Sequence, residues 1–157
     1  MVVVVFEVLV YDLGGCEGCP VSVLRGLQQI ERIAKLYMSY LGNLDLDREY
    51  DVAVITGALC MNDEEKIRVL KDVRSKARIL IAYGSCASVG GITLFCRGGQ
   101  DPRPEHRFWQ PISRVVNVDY SIPGCPPAPV SLFSLLNCIS TGKGGLLSVF
   151  KALAKTH

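Results

Sequence analysis

Three apolar runs in this chain each give way to glycine and then to a helical pattern, and that repetition constrains the fold more than any other feature. Val2 to Val10 is almost continuously apolar and is broken by Gly14 and Gly15, Asp51 to Thr56 stops at Gly57, and Ala77 to Ala82 runs to Gly84. A strand without polar alternation is one buried on both faces, as inside a parallel sheet covered by helices. Parallel neighbours need long crossovers, which are right-handed and usually carry a helix. The expectation is an α/β chain: a doubly wound parallel sheet of about four strands with flanking helices.

The segments between the strands read as follows. Pro20 opens a helical pattern to Tyr40, carried by Val23, Leu27, Ile30, Ile33, Ala34 and Tyr37. Asn62 is the expected N-cap of a charged helix through Arg74, with Ile67, Leu70 and Val73 facing inward. A short helical turn is expected before Gly90 and Gly91. From Ile92 to Ile112 the pattern fails, because Gly98, Gly99, Pro102, Pro104 and Pro111 punctuate a stretch too long for an ordinary connection. A fourth strand is expected near Arg114 to Val118. Pro126 and Pro127 then start a helix to about Ile139, Gly142 to Gly145 end it, and Leu146 to Lys155 form the last helix. No repeat or linker divides residues 1–157, so a single domain is expected.

Cysteines stand where these strands end: Cys16 and Cys19 in G-G-C-E-G-C-P, Cys86 in Y-G-S-C-A, and Cys125 in P-G-C-P-P. Parallel topology brings the carboxyl ends of all strands to one edge of the sheet, where open α/β folds bind their ligands. Four thiols from three loops suggest a metal cluster, and four is the number an iron–sulfur cube needs. Gly15, Gly18, Gly84 and Gly124 let backbone N–H groups approach the sulfurs, and helix N-termini at Pro20 and Pro126 would add positive dipole ends.

Other chemistries use the same residue types. C-x-x-C at a helix start is also the thioredoxin-type dithiol, which leaves Cys86 and Cys125 without a role. A structural zinc site would more usually be built from two close pairs. Cys138, mid-helix among Leu135, Leu136 and Ile139, reads as buried packing, as does Cys96. Cys60, in T-G-A-L-C after the second strand, reads as bordering the crevice without ligating. T-G-K-G-G at 141 to 145 lacks the spacing of a phosphate loop and reads as a helix C-cap.

Composition narrows the setting. Hydrophobic residues make up 49% of the chain and charged residues 20%, a balance that suits a surface partly covered by other subunits. A formal net charge of +2, scattered along the sequence, gives no footprint for nucleic acid. Seven cysteines is an odd number, and Glu7 and Asp12 interrupt what would be a leader's apolar region, so a reducing, cytoplasmic compartment is expected. No run is long enough to span a bilayer, which leaves membrane association to partners.

Taken together, C-E-G-C-P-V-S-V-L, G-S-C-A-S-V-G-G-I and I-P-G-C-P-P, in this order, resemble the small subunit of [NiFe]-hydrogenases, especially its short archaeal or cytoplasmic form. The likeness covers about residues 3 to 140. It implies a flavodoxin-like domain holding one proximal [4Fe-4S] cluster on Cys16, Cys19, Cys86 and Cys125. It also implies partners: a large subunit bearing the nickel–iron centre, and a ferredoxin-like or flavin subunit that passes electrons on. A related subunit of complex I has its first two cluster cysteines in tandem, whereas two residues separate Cys16 from Cys19. Many hydrogenase small subunits carry an acid near the end of the second strand, where this chain has Thr56-Gly57, a form closer to the energy-converting, complex I-related members. With few residues after the G-C-P-P helix, the second cluster domain of larger small subunits is not expected in residues 1–157.

The implied function is electron transfer within a hydrogenase-type oxidoreductase whose catalytic centre lies on another chain. The alternatives are a complex I-related or other electron-transfer subunit, a stand-alone dithiol oxidoreductase cycling Cys16 and Cys19, and a scaffold relative whose partner has lost nickel. Glu17, between the paired cysteines, is either a solvated charge or one that faces the large subunit. The stretch from Ile92 to Ile112, with Arg97, Arg103, His106, Arg107, Phe108 and Trp109, has the aromatic-plus-arginine mixture of an interface. It is expected to dock the large subunit together with the Cys16 to Cys19 turn.

Overall fold

The structure, a computed structural model, describes residues 5–39, 44–92, 108–142 and 144–154. In chain order its elements are β1 (Phe6–Asp12), α1 (Gly18–Arg25), α2 (Leu27–Ile30), β2 (Ala34–Met38), β3 (Tyr50–Thr56), β4 (Leu59–Cys60), α3 (Glu64–Lys76), β5 (Ala77–Tyr83), α4 (Ser85–Val89), β6 (Trp109–Gln110), a 3-10 turn (Ile112–Arg114), β7 (Tyr120–Ile122), α5 (Val130–Thr141) and α6 (Gly144–Ala154). The main sheet has the order β2-β1-β3-β5-β7, and β4 pairs with β6 in a separate ribbon. All four neighbouring pairs of the main sheet are parallel. Counting only these strands, the winding is the flavodoxin-like 2-1-3-4-5, whose switch point lies between β1 and β3.

Alternation along each strand sorts the core into two layers. Val8 and Val10, Val52 and Val54, and Ile81 and Tyr83 face Val23, Ile30, Leu132, Leu135 and Leu136 from α1, α2 and α5. Leu9, Ala53 and Ile55, and Leu80 and Ala82 face Leu70 and Val73 of α3 and Ala87 of α4. Both faces are therefore covered, which is why β1, β3 and β5 read as unbroken apolar runs. Leu70, Val73, Leu132, Leu135 and Leu136 are fully buried, each contributing about 1.5–3 kcal/mol of transfer free energy. Among the described residues no helix is long and apolar enough to cross a membrane.

Three sequence expectations change. The helix to Tyr40 stops at Arg25, with a short second piece at Leu27–Ile30, and Ala34–Met38 is an edge strand. Ile33, Ala34 and Tyr37 continue the helical spacing, but β1 needs a neighbour, and the register Phe6↔Ala34 to Val10↔Met38 supplies it. The sheet consequently has five strands rather than about four. The last strand lies at Tyr120–Ile122 instead of Arg114 to Val118, whose Arg114 closes the 3-10 turn and whose Val116 packs into the layer beside α3 and α4. Asp119 marks the entry into that strand: its carboxylate accepts the Leu80 N–H at 2.8 Å and faces Arg74 at 3.3 Å. Finally, α5 starts at Val130, so Pro126 and Pro127 precede the helix instead of opening it.

Candidate metal centre

Each of the four cysteines leaves the carboxyl edge of the sheet. Cys16 follows β1 and is exposed; Cys19, the second residue of α1, is half-buried. Cys86 is the second residue of α4 and half-buried, and Cys125 follows β7 and is exposed. All four line one cavity of about 120 Å³, together with Asp12, Glu17 and Ile92 among others. The parallel topology thus brings the expected residues together.

Hydrogen bonds stitch the cysteine loops to one another. Leu13 N–H donates to Thr56 O at 2.9 Å and Ala58 N–H to Gly14 O at 3.0 Å, tying the exit of β1 to that of β3. Asp12 completes this seam by accepting the Thr56 hydroxyl at 2.5 Å and the Gly14 N–H at 3.0 Å. Gly57 lies in the same seam at φ +84°, where a Cβ would stand 2.6 Å from Gly14 O. On the other side, Gly84 N–H donates to Ile122 O at 2.8 Å, Ser85 N–H to Gly124 O at 2.8 Å, and Gly124 N–H to Ser85 Oγ at 3.1 Å. Gly84, at φ +95°, has room for no side chain, since a Cβ would fall 2.4 Å from Cys19 Sγ.

The electrostatics follow from this convergence. Burial pushes the Cys19 thiol up to about 12, and Cys86, Cys16, Cys125 and Asp12 each add to the rise. A second negative charge is unwelcome where three other sulfurs and a carboxylate already face the same space. A multivalent metal group reverses that logic and deprotonates the thiols it binds. Among the described residues, no three His, Cys, Asp or Glu side chains are grouped tightly enough to hold one metal ion.

The remaining expected residues fall as follows. Glu17 is exposed, lines the cavity and adopts the left-handed conformation at φ 62° just before α1. Cys60 lies in β4, opposite Trp109 of β6, and is not among the residues lining the cavity. Cys138 is buried in α5, as expected. Gly142 caps α5 at φ 66° with its N–H on Cys138 O, in keeping with the C-cap reading of T-G-K-G-G. Cys96, Arg97, Arg103, His106 and Arg107 lie outside the described residues. Of the rest of the expected interface, Phe108 is 43% exposed and Trp109 half-buried, while Ile92 is 71% exposed.

Sequence reasoning missed Asp12 and Thr56. Asp12 ends an apolar strand two residues before the Gly14-Gly15 pair, a signal present in the sequence. Its pairing with Thr56 depends on the register Asp12↔Thr56 between neighbouring strands 44 positions apart in the chain. Lys66 was missed too: its Nζ stands 3.3 Å from where a Gly14 Cβ would be, which brings a cation beside the loop leading to Cys16.

Residues 16–139 match the family described as the NADH ubiquinone oxidoreductase 20 Kd subunit, a span that starts at the first cavity cysteine and includes all four. The chain belongs to that family. It is 40% identical over 122 residues to the coenzyme F420 hydrogenase subunit gamma of Methanosarcina barkeri, covering 74% of this chain and 47% of that protein. The protein of the same name in Methanococcus voltae is 30% identical over 163 residues, covering 91% of this chain and 67% of that protein. The chain thus spans about half to two thirds of the length of these relatives. Among solved structures, a chain of an NAD+-reducing [NiFe]-hydrogenase superposes with a TM-score of 0.68 at 28% identity, covering 88% of this chain and 92% of that one. The hydrogenase small-subunit resemblance read from the motifs agrees with these relatives, which are subunits of multi-subunit hydrogenases.

Proposed function

We propose that this chain is the electron-transfer subunit of a [NiFe]-hydrogenase-type oxidoreductase and holds one [4Fe-4S] cluster on Cys16, Cys19, Cys86 and Cys125. The observation that carries the reading is that these four thiols, from three separate loops, line a single cavity. The donor set suits a four-iron cube, which takes one thiolate at each iron, better than a single ion, which needs its sulfurs gathered round one point. When bound, such a cluster stores and passes single electrons. The chain's own residues hold it: the thiols ligate, the glycine turns allow close approach, and the exposed Cys16 and Cys125 leave the site open toward a redox partner. Burial and hydrogen bonding to sulfur would select its potential within the range of about −700 to +450 mV known for such clusters.

The nickel–iron centre belongs, on this reading, to a large subunit that docks at the cavity edge. Exposed Ile92, Val21 and Phe108 offer apolar contact area for it. The electron acceptor belongs to a further, ferredoxin-like or flavin, subunit. The names of the similar proteins carry two different acceptors, coenzyme F420 and NAD+, in keeping with an acceptor chosen outside this subunit.

Anaerobic purification of the native complex with iron, sulfide and nickel measured together tests the proposal. The expected result is about four irons and as many sulfides per chain, lost when Cys16, Cys19, Cys86 or Cys125 is changed to Ser and retained in Cys138→Ser and Cys96→Ser. Stoichiometric zinc without sulfide overturns the cluster. Iron and sulfide without nickel turns the reading toward the complex I-related branch of the family.

A further inference from the structure

A hydrogen-bond chain joins the segments that carry Cys19, Cys86 and Cys125. Ser22 Oγ donates to the Pro127 carbonyl at 2.6 Å. A serine hydroxyl has one hydrogen, so the 3.0 Å contact between Ser22 Oγ and the Tyr83 hydroxyl runs from the phenol to the serine. The chain Tyr83 to Ser22 to Pro127 is therefore directional and uses both hydroxyl protons. Ser22 lies one helical turn beyond Cys19 on the same side of α1. Tyr83 ends β5 immediately before the Gly84 turn to Cys86, and Pro127 stands two residues after Cys125.

Both hydroxyls are out of reach of water: Ser22 is 3% exposed and Tyr83 is 0% exposed, among Val10, Val23 and Leu132. Alanine and phenylalanine would occupy nearly the same space without a polar group to satisfy, and buried polar groups are costly unless paired. Packing alone does not call for these two residues. What they add is direction, since the two bonds are made together only when the three segments stand in one mutual arrangement. We propose that Tyr83 and Ser22 are positioning residues that set the spacing of Cys19, Cys86 and Cys125, and through it the ligand geometry of the metal centre. This rests on the reading of the four cysteines as ligands of one cluster.

The test uses the full chain, reconstituted anaerobically with ferrous iron and sulfide, as wild type, Tyr83→Phe, Ser22→Ala and Ser22→Thr. Tyr83→Phe is close to isosteric and keeps the experiment meaningful if Ser22→Ala folds poorly. The readouts are iron and sulfide content, the electron paramagnetic resonance spectrum of the reduced cluster, iron release to a chelator, and melting of the cluster-free chain. Tyr83→Phe and Ser22→Ala are expected to load fully, to show a broadened spectrum, and to release iron about fivefold faster, the weight of one buried hydrogen bond. Ser22→Thr, which keeps the hydroxyl, is expected to restore the wild-type spectrum and rate. Wild-type spectra and release rates in Tyr83→Phe and Ser22→Ala, with or without a lower melting temperature, overturn the positioning role while leaving the cluster assignment standing. A wild-type chain that takes up no sulfide overturns both.

Discussion

Cys19 is the cavity thiol whose proton is held hardest, pushed up to about 12 by burial and by the other three sulfurs. The thiolate is the nucleophile, so in the cluster-free chain the exposed Cys16 and Cys125 should be carboxymethylated by iodoacetate before Cys19, as read by peptide mass spectrometry. The sign of the pH effect follows from the direction of the shift. The unfolded chain releases this proton near 9.0 while the folded chain keeps it toward 12. The contribution is thus intact below pH 9.0 and is lost as pH rises from there, so the melting temperature of the cluster-free chain should fall between about pH 9 and about pH 12. Asp12 makes a second residue-scale case. Thr56 is fully buried and its hydroxyl donates to Asp12, so Asp12→Ala strands a buried donor and should cost about 1–3 kcal/mol in denaturant unfolding. Asp12→Asn keeps an acceptor there and should cost less.

The elements differ in how far they were legible. β3, β5 and α3 are close to their expected bounds because burial on both faces, glycine stops and a charged helix face are local signals; β1 ends at Asp12, two residues past the expected Val10, and the expected start at Val2 lies outside the described residues. Within α3 the cap is Asp63, one residue after the expected Asn62, and its side chain accepts the Lys66 N–H at 3.0 Å. Asp63→Ala should therefore destabilise the chain by about 0.5–2 kcal/mol, whereas Asn62→Ala should change little. β2 was illegible: its apolar residues satisfy the helical period as well as the strand, and only the open edge of β1 selects between them. The turn from β5 into α4 is the element junction most sensitive to change. Gly84→Ala introduces a Cβ 2.4 Å from Cys19 Sγ at a φ of +95°. It should cost more than about 1 kcal/mol and lower iron content at the same time, which the iron-to-protein ratio and melting of the same sample will show.

At the scale of the whole molecule, the proposed function calls for a surface that docks a large subunit. Trp109 belongs to the stretch expected to dock, but it is half-buried and sits in the ladder with Cys60, so its removal would disturb the fold as well as a contact. Ile92 and Phe108 are better placed, being 71% and 43% exposed. Ile92→Ser combined with Phe108→Ser should weaken co-purification with the proposed large subunit by about tenfold while shifting the melting temperature of the isolated chain only slightly; undiminished co-purification would move the proposed docking surface elsewhere. Read alone, the sequence determined the parallel α/β class and the arrival of Cys16, Cys19, Cys86 and Cys125 at the carboxyl edge of the sheet, because each follows from local signals: apolar runs, glycine stops, and cysteines within two residues of a glycine. Only the tertiary structure decided the fifth strand, the seam between Asp12 and Thr56, and the buried chain from Tyr83 through Ser22 to Pro127. Those depend on register and on contacts between segments 44, 61 and 105 positions apart, and no periodicity in one stretch of chain can specify which hydroxyl will meet which acceptor in another.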